Sequence, residues 1–228
     1  MMELVSPAGN LEKLTYAWQY GGDAAYIGLK NFSLRVKADN FHEEEHSVIR
    51  ALKEQYRREG REKRLFCALN ISFHNNDIHS FLEQKDYFRL YPFDAFIVQD
   101  LGMFRVLRKE FPDTPIHIST QANCLNTEAV KMYRDLGIRR IVLAREASLA
   151  EISEIKQGVP EMEIECFAHG AMCIAYSGRC LMSAYMTGRS ANAGFCSHSC
   201  RWDYRYVEEK ERPGEYFPVI EGDDFTAV

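Results

Sequence analysis

The sequence predicts an α/β fold: a TIM-type (βα) barrel that lacks its eighth βα unit and ends in a cysteine-rich segment. Short apolar runs alternate with longer amphipathic stretches as far as about residue 170. Alternation with such short connections requires parallel strands joined by crossovers. Polar residues follow almost every apolar run, where a barrel builds its active site. An open doubly wound sheet is the alternative, but no G-x-G-x-x-G follows the first strand, which leads into Ser6-Pro-Ala-Gly9.

Seven apolar runs have the length and flanking residues of buried strands. In chain order, the predicted strands are Glu3–Ser6, Ala24–Gly28, Arg64–Asn70, Ala95–Gln99, Ile116–Ser119, Arg140–Ala144 and Glu163–Phe167. In a barrel, the polar residues that follow them converge on one face. Those residues include Ser6, Asn70, His74, Gln99, Asp100, Ser119, Gln121, Asn123, Arg145, Glu146 and His169.

Helical periodicity fills the segments between these strands. The predicted helices are Asn10–Tyr20, Glu43–Glu59, Ile78–Leu90, Met103–Phe111, Thr127–Leu136 and Leu149–Gln157. Asn10 and Thr127 are predicted N-caps. Four glycines are predicted to follow helix ends in a left-handed conformation: Gly21, Gly60, Gly137 and Gly158.

No clear strand–helix pair follows residue 170, so a closed barrel would lack its last unit. We therefore divide the chain into a βα-barrel portion, residues 1–170, and a cysteine-rich segment packed on it, residues 171–228. With 46% hydrophobic and 27% charged residues in 228, the chain can bury a substantial core.

The composition also predicts where in the cell the protein is found. No apolar run approaches the roughly 18 residues of a membrane helix, so we expect no membrane partner. The N-terminus lacks the basic region and apolar stretch of a signal peptide, which predicts a cytoplasmic protein with reduced thiols. The net charge of −5 argues against non-specific coating of nucleic acid.

Four cysteines fall within 28 residues, at the spacing C-x6-C-x15-C-x3-C: Cys173, Cys180, Cys196 and Cys200. Clustered thiolates are soft ligands, which favours an iron–sulfur cluster or zinc over disulfides in a reducing compartment. The spacing matches neither a zinc ribbon nor a bacterial ferredoxin. The remaining cysteines lie in or beside predicted strands, and we expect them to be small buried hydrophobes: Cys67, Cys124 and Cys166.

The same segment is basic and aromatic. Between residues 173 and 206, four arginines and one aspartate give a charge of +3, with aromatic residues interleaved. Arginine for phosphate and aromatic faces for unstacked bases are typical of single-stranded RNA binding. The candidate RNA contacts are Tyr176, Arg179, Arg201 and Trp202. A basic loop packed on an acidic barrel, with aromatics covering the cluster, is the alternative.

Candidate acid–base groups and anion ligands follow the predicted strands. His74 and His169 can titrate near neutral pH, although histidines in such places also serve as structural hydrogen-bonding groups. Arg35 and Arg145 are candidates for bidentate contacts to a small dicarboxylate. Arg35 could equally pair with Asp39.

Glu165 shares a strand face with Phe167 and His169, because alternate residues point the same way. If that face is the barrel interior, its carboxylate needs a partner such as Arg145 or His169.

The G-x-S-x-G motif of serine hydrolases on α/β folds is absent from the sequence. Cys173 with His169 could form a cysteine-peptidase pair. Four clustered thiols fit a metal site better than a single nucleophile.

The cysteine-rich segment resembles a signature of the collagenase-like peptidase family, peptidase family U32: E-x-F-x-H-G-A/S-x-C-x-x-x-S-G-x-C. The matching residues are Glu165, Phe167, His169, Gly170, Cys173, Ser177, Gly178 and Cys180. A second block, N-x-G-x-C-x-x-x-C-R-W, is matched from Asn192 to Trp202. Further similar blocks are Leu4–Gly9, Gly22–Gly28, Ser33–Arg35, Asn70–His74 and Ser119–Asn123.

The resemblance implies a barrel-like fold and a 4Fe–4S cluster, with Cys173, Cys180, Cys196 and Cys200 carried over as its ligands. The C-x3-C-R-W ending is most similar to the branch that makes 5-hydroxyuridine at the tRNA wobble position with prephenate as oxygen source. This implies the tRNA anticodon loop and a small dicarboxylate as partners. Other branches hydroxylate a ribosomal RNA cytidine or quinone precursors. A collagenase-like peptidase of unknown catalytic type and a zinc-stabilised RNA-binding module remain alternatives. Full members of the family continue well beyond residue 228.

Overall fold

A computed structural model describes residues 2–29, 32–33, 41, 45–170, 172–177, 179–203, 206–208, 211–218, 220–221 and 226–227. Seven parallel strands form one sheet. They are β1 (Val5–Pro7), β2 (Ala24–Ile27), β3 (Arg64–Leu69), β4 (Ala95–Val98), β5 (Ile116–Ile118), β6 (Arg140–Val142) and β7 (Glu163–Glu165).

Helices alternate with these strands along the chain. They are α1 (Leu11–Gln19), α2 (Glu45–Arg58), α3 (Asn75–Leu90), α4 (Leu101–Glu110), α5 (Thr127–Asp135) and α6 (Leu149–Gly158). After β7 come α7 (Met182–Thr187) and 3-10 turns at Ala191–Ala193 and Ser199–Arg201. Two short antiparallel pairs follow, β8 (Tyr206–Glu208) with β9 (Tyr216–Pro218), and β10 (Ile220–Glu221) with β11 (Thr226–Ala227).

The order of strands in the sheet is the order of strands in the chain, from β1 to β7. A doubly wound sheet reverses its strand order at a switch point, whereas a barrel does not. The sheet curls into a half-barrel, and no eighth parallel strand joins it within the described part of the chain. The prediction of an incomplete βα barrel is confirmed.

Two apolar layers cover the two faces of the sheet. The larger layer lies between strands and helices, where Leu14 and Trp18 of α1 and Phe81 and Phe88 of α3 are fully buried. The smaller layer covers the concave face and includes Ala24, Phe66, Ala95 and Ile97. Adjacent strand residues belong to different layers because side chains alternate across a sheet.

Helix ends agree with the predictions in part. The Asn10 side chain caps α1 by accepting a hydrogen bond from Lys13 N (2.9 Å), as expected. The cap of α5 is Asn126, not Thr127, because the Asn126 side chain accepts from Ala129 N (2.9 Å). Thr127 was therefore the wrong cap by one residue.

The prediction of a left-handed conformation is right for three of the four glycines. Three have positive φ past helix ends: Gly21, Gly60 and Gly137. Gly158 is instead the last residue of α6, and Val159 follows it as the C-cap. The prediction of a left-handed conformation was wrong there, since the helix continues one residue further.

None of the described helices is both long and apolar enough to cross a membrane.

Candidate functional site

The carboxyl ends of β3, β4 and β5 meet in a network of polar side chains. Gln99 Nε2 donates to the carbonyl of Asn70 (2.9 Å), and Asn70 Nδ2 donates to Gln121 Oε1 (3.4 Å). Ser119 Oγ also donates to Gln121 Oε1. Ser119 and Gln121 are buried. The structure thus brings together several of the polar residues that were expected to converge, and they form the floor of the barrel mouth.

Hydrogen bonds join the cysteine-rich segment to this mouth. The Ser72 amide, after β3, donates to the carbonyl of Asn192 (3.0 Å). The Asn192 side chain in turn accepts from the amide of Cys180 (2.9 Å). The hydroxyls of Thr120 and Ser177 lie 3.5 Å apart. Asn192 therefore links one cysteine to a loop of the barrel, a role that its place in the N-x-G block did not reveal.

The four clustered cysteines are free and half-buried. Burial raises the pKa of the Cys200 thiol, and the nearby Cys173, Cys196 and Cys180 raise it further, against the lowering effect of Arg201. The four thiols are thus close enough to interact electrostatically. Within the described residues, no three metal-binding side chains have the geometry of a formed site. The donor chemistry nevertheless fits a soft metal group, because a bound cation stabilises thiolates.

The other three cysteines differ in exposure. Cys67 and Cys124 are buried, as expected, and burial raises the pKa of Cys124 to about 11. Cys166 is exposed. The prediction that it is buried was wrong, because β7 ends at Glu165 and the thiol lies beyond the sheet.

A cleft of about 190 Å³ opens beside the ends of β6 and β7. Arg145, Cys166, Phe167 and His169 are among its lining residues. The guanidinium carbon of Arg145 lies 4.4 Å from the centroid of the Phe167 ring. Arg145 Nε is buried and has no hydrogen-bond partner. Two predicted site residues, Arg145 and His169, therefore share one small cleft.

Glu165 lies elsewhere than expected. Its carboxylate pairs with Arg140 (3.2 Å), and not with Arg145 or His169. Arg140 also contacts Glu3 (2.5 Å) and Glu163 (2.6 Å), and its side chain is only 7% exposed. Burial raises the pKa of Glu165, and Arg140 opposes that rise. Glu165 thus belongs to a buried charge network centred on Arg140, the first residue of β6.

His117 on β5 faces the same network. Burial, followed by the charge of Arg140, lowers its pKa to about 3, so its imidazole is neutral. Its ring lies edge-on to Phe66 at 4.9 Å between centroids. Sequence reasoning missed both His117 and Arg140. The signal was present: the charges of Arg140, Glu163 and Glu165 sit on alternate residues of neighbouring strands, which places them on one face.

The remaining predicted site residues are scattered. His74 precedes α3, and its amide donates to Asp77 Oδ2 (2.8 Å), so it lies in the helix cap. Arg35 lies outside the described residues, as does Asp39. Three candidate RNA contacts are exposed: Tyr176, Arg179 and Trp202. The fourth, Arg201, is also exposed and donates to the carbonyl of Met172 (2.8 Å).

The chain is similar to curated proteins, two of which have names that refer to RNA. It is 43% identical over 210 residues to the tRNA hydroxylation protein P of Escherichia coli, covering 92% of this chain and 45% of that protein. It is 37% identical over 217 residues to the 23S rRNA 5-hydroxycytidine synthase of the same organism, covering 94% of this chain and 31% of that protein. The chain thus spans less than half the length of these curated relatives.

A solved structure and a family model give further evidence on the fold and the family of the chain. The structure of a U32 peptidase superposes with a TM-score of 0.59 at 16% identity, covering 97% of this chain and 87% of that one, which supports the half-barrel fold. The family model for peptidase family U32 matches residues 9–226. On the fold, the family match and the identity to its relatives, the chain belongs to peptidase family U32.

Proposed function

We propose that this chain is part of an iron–sulfur enzyme that hydroxylates RNA, converting the wobble uridine of tRNA to 5-hydroxyuridine with prephenate as oxygen source. The observation that carries the proposal is the set of four free, half-buried cysteines, of which Cys180 is connected through Asn192 to a loop at the mouth of the half-barrel. The names of its relatives, which act on tRNA or on rRNA, favour RNA over a quinone precursor as substrate. We place this reaction in the cytoplasm, where thiols stay reduced.

The four cysteines are the proposed ligands of a 4Fe–4S cluster. Four thiolates are the usual ligand set of such a cluster, which supplies one-electron transfer when bound. Cys180 is held through its amide by Asn192, and Asn192 is held by the loop after β3. These bonds orient the cysteine-rich segment against the barrel mouth. Zinc is the alternative occupant of the same thiols.

The exposed face of the cysteine-rich segment would bind the RNA. Tyr176 is 61% and Trp202 45% exposed, so both rings are free to stack on unpaired bases of an anticodon loop. Arg179 and Arg201 supply positive charge for phosphates beside them. The amide side chains at the mouth, such as Gln121, can hydrogen-bond the edge of a base that enters it.

The reaction sets a chemical requirement. Replacing the hydrogen on carbon 5 of uracil by a hydroxyl adds one oxygen atom and removes two electrons from the base. The oxygen donor must therefore be reduced in turn, which is the role proposed for prephenate. A general base near the mouth assists removal of the ring proton, and His169 in the adjacent cleft is the proposed group.

The description of the family as a peptidase favours a second candidate function. A cysteine peptidase would pair Cys173 with His169. Both residues lie in the described part of the chain, and no hydrogen bond joins their side chains there. We therefore rank proteolysis below RNA hydroxylation.

Two measurements test the proposal. Protein purified without oxygen should be coloured and contain iron and sulfide, and Cys200→Ser should lose most of the iron. Cys166→Ser is the matched control, because that exposed thiol lies outside the set of four, and it should keep the iron. A colourless wild-type protein that contains zinc would refute the proposal of an iron–sulfur cluster.

For the substrate, tRNA nucleosides are compared by mass spectrometry in cells with and without the gene. Loss of 5-hydroxyuridine derivatives is expected on deletion, and restoration on complementation. An unchanged nucleoside profile would refute the tRNA reaction. Cleavage of gelatin that depends on Cys173 but not on metal would favour the peptidase instead.

A further inference from the structure

The cleft beside β6 and β7 is lined by both apolar and polar groups, and one of the polar groups is a strong cation. Its apolar side comes from Ala144, Ala147, Ile152, Phe167 and Met172. Its volume, about 190 Å³, lies below the roughly 300 Å³ at which pockets for drug-sized ligands begin. The cleft therefore suits a small molecule with an apolar body, and is too small for a whole nucleotide.

The cation is Arg145, which lacks an acceptor. Its guanidinium carbon lies over the Phe167 ring, 4.4 Å from the ring centroid, which is a cation–π contact. Nε is buried without a hydrogen-bond partner, and among the described residues no carboxylate pairs with Arg145. A buried, unsatisfied donor on a charged group is costly, so an acceptor is missing from this position.

We propose that the cleft binds the carboxylate of a small organic acid, anchored by Arg145. A guanidinium fork matches a planar carboxylate through two parallel hydrogen bonds. The apolar walls contact the hydrocarbon body of the acid. A phosphodiester lacks such a body, so the surroundings favour an organic acid over an RNA phosphate.

This inference deepens the proposed function. The identification of the bound acid as the oxygen donor rests on that proposed function, whereas the binding of a carboxylate at Arg145 does not. His169 lines the same cleft, so an acid bound there would lie beside the proposed general base.

Isothermal titration calorimetry on the purified chain, without RNA, tests the site with prephenate as probe. Arg145→Gln should weaken binding about tenfold or more, the loss expected for a charge-assisted hydrogen-bonded pair. Arg145→Lys keeps the charge without the fork and should fall between the two. Phe167→Leu should weaken binding several-fold, because the guanidinium loses its stacking partner. Arg105→Gln, an exposed arginine on α4, is the control and should bind like wild type.

Several outcomes would overturn the site. These are no measurable prephenate binding by wild type, equal binding by Arg145→Gln and wild type, or binding of inorganic phosphate in preference to prephenate. The last result would reassign the cleft to RNA phosphate. Because titration uses no RNA, Arg145-dependent binding with an unchanged tRNA nucleoside profile would support the site and refute the proposed reaction separately.

Discussion

Replacing Arg140 by methionine should destabilise the fold in a pH-dependent way. The guanidinium contacts three carboxylates, those of Glu3, Glu163 and Glu165, at 2.5, 2.6 and 3.2 Å. Methionine keeps much of the length of the side chain and removes its charge. Arg64 still pairs with Glu3 (2.8 Å), so one of the three carboxylates keeps a partner there.

Glu165 is the carboxylate that loses most from the substitution, because it is left without a cation in the part of the chain that the structure describes. Glu163 retains Arg139 (3.0 Å), whereas Glu165, with a side chain 19% exposed, has no second cation among its ion pairs in the described residues. Removing one partner of a buried ion pair costs about 3–5 kcal/mol. Because two of the three carboxylates keep a cation, we expect Arg140→Met to lose about 3 kcal/mol at pH 7, the lower end of that range.

The direction of the pH effect follows from the pKa of Glu165, which burial already raises in the wild type. A group whose pKa is raised on folding stabilises fully below its unfolded pKa, and that contribution is lost as pH rises through the folded pKa. Arg140→Met raises the folded pKa further. The free-energy difference between variant and wild type should therefore shrink as pH falls from 7 towards 5.

Urea unfolding followed by circular dichroism measures the effect. The control is Arg139→Met, whose side chain is 68% exposed and whose ion pair with Glu163 should contribute about 0–1 kcal/mol. If the two variants differ by less than about 1 kcal/mol at pH 7, the buried network does not hold the sheet as argued. A loss of equal size at pH 5 and pH 7 would contradict the role given to Glu165.

Three further predictions concern separate parts of the molecule. In the wild type, His117 binds a proton in the unfolded state but not in the folded state, where its pKa is about 3, so the free energy of unfolding falls as the pH falls from 6 to 4. His117→Phe should remove this contribution, which is about 1.4 kcal/mol per pH unit. Unfolding curves recorded at acidic pH measure the difference. Asn126→Ala should cost about 1 kcal/mol by urea unfolding, because α5 loses its cap, whereas Thr127→Ala should cost less. Trp202→Ala should weaken binding of an anticodon stem-loop by about fivefold or more in a filter-binding assay, and unchanged affinity would remove the ring from the RNA surface.

The parallel architecture could be predicted because each strand is a short apolar run and each helix is amphipathic. The sequence also placed Asn70, Gln99 and Gln121 at one end of the sheet, since the carboxyl ends of parallel strands meet there. The partner of Glu165 could not be predicted in the same way. It depends on the register that sets Arg140 beside Glu163, and register is fixed by contacts across the sheet.

Small shifts in element ends explain the other errors. Asn126 and Thr127 can both cap a helix, and only the backbone conformation decides between them. Cys166 was expected inside a strand, but β7 stops one residue earlier. Boundaries of this kind are set by tertiary packing, which local composition does not encode.

The sequential strand order has a consequence for biosynthesis. Each strand from β2 to β7 pairs with the strand before it, so a newly made strand finds its partner already outside the ribosome. Assembly can then proceed from the amino terminus, one unit at a time, without waiting for distant segments. The cysteines at residues 173 to 200 emerge last among these parts. A metal group would therefore be delivered to a scaffold whose mouth, including the loop that holds Asn192, has already formed.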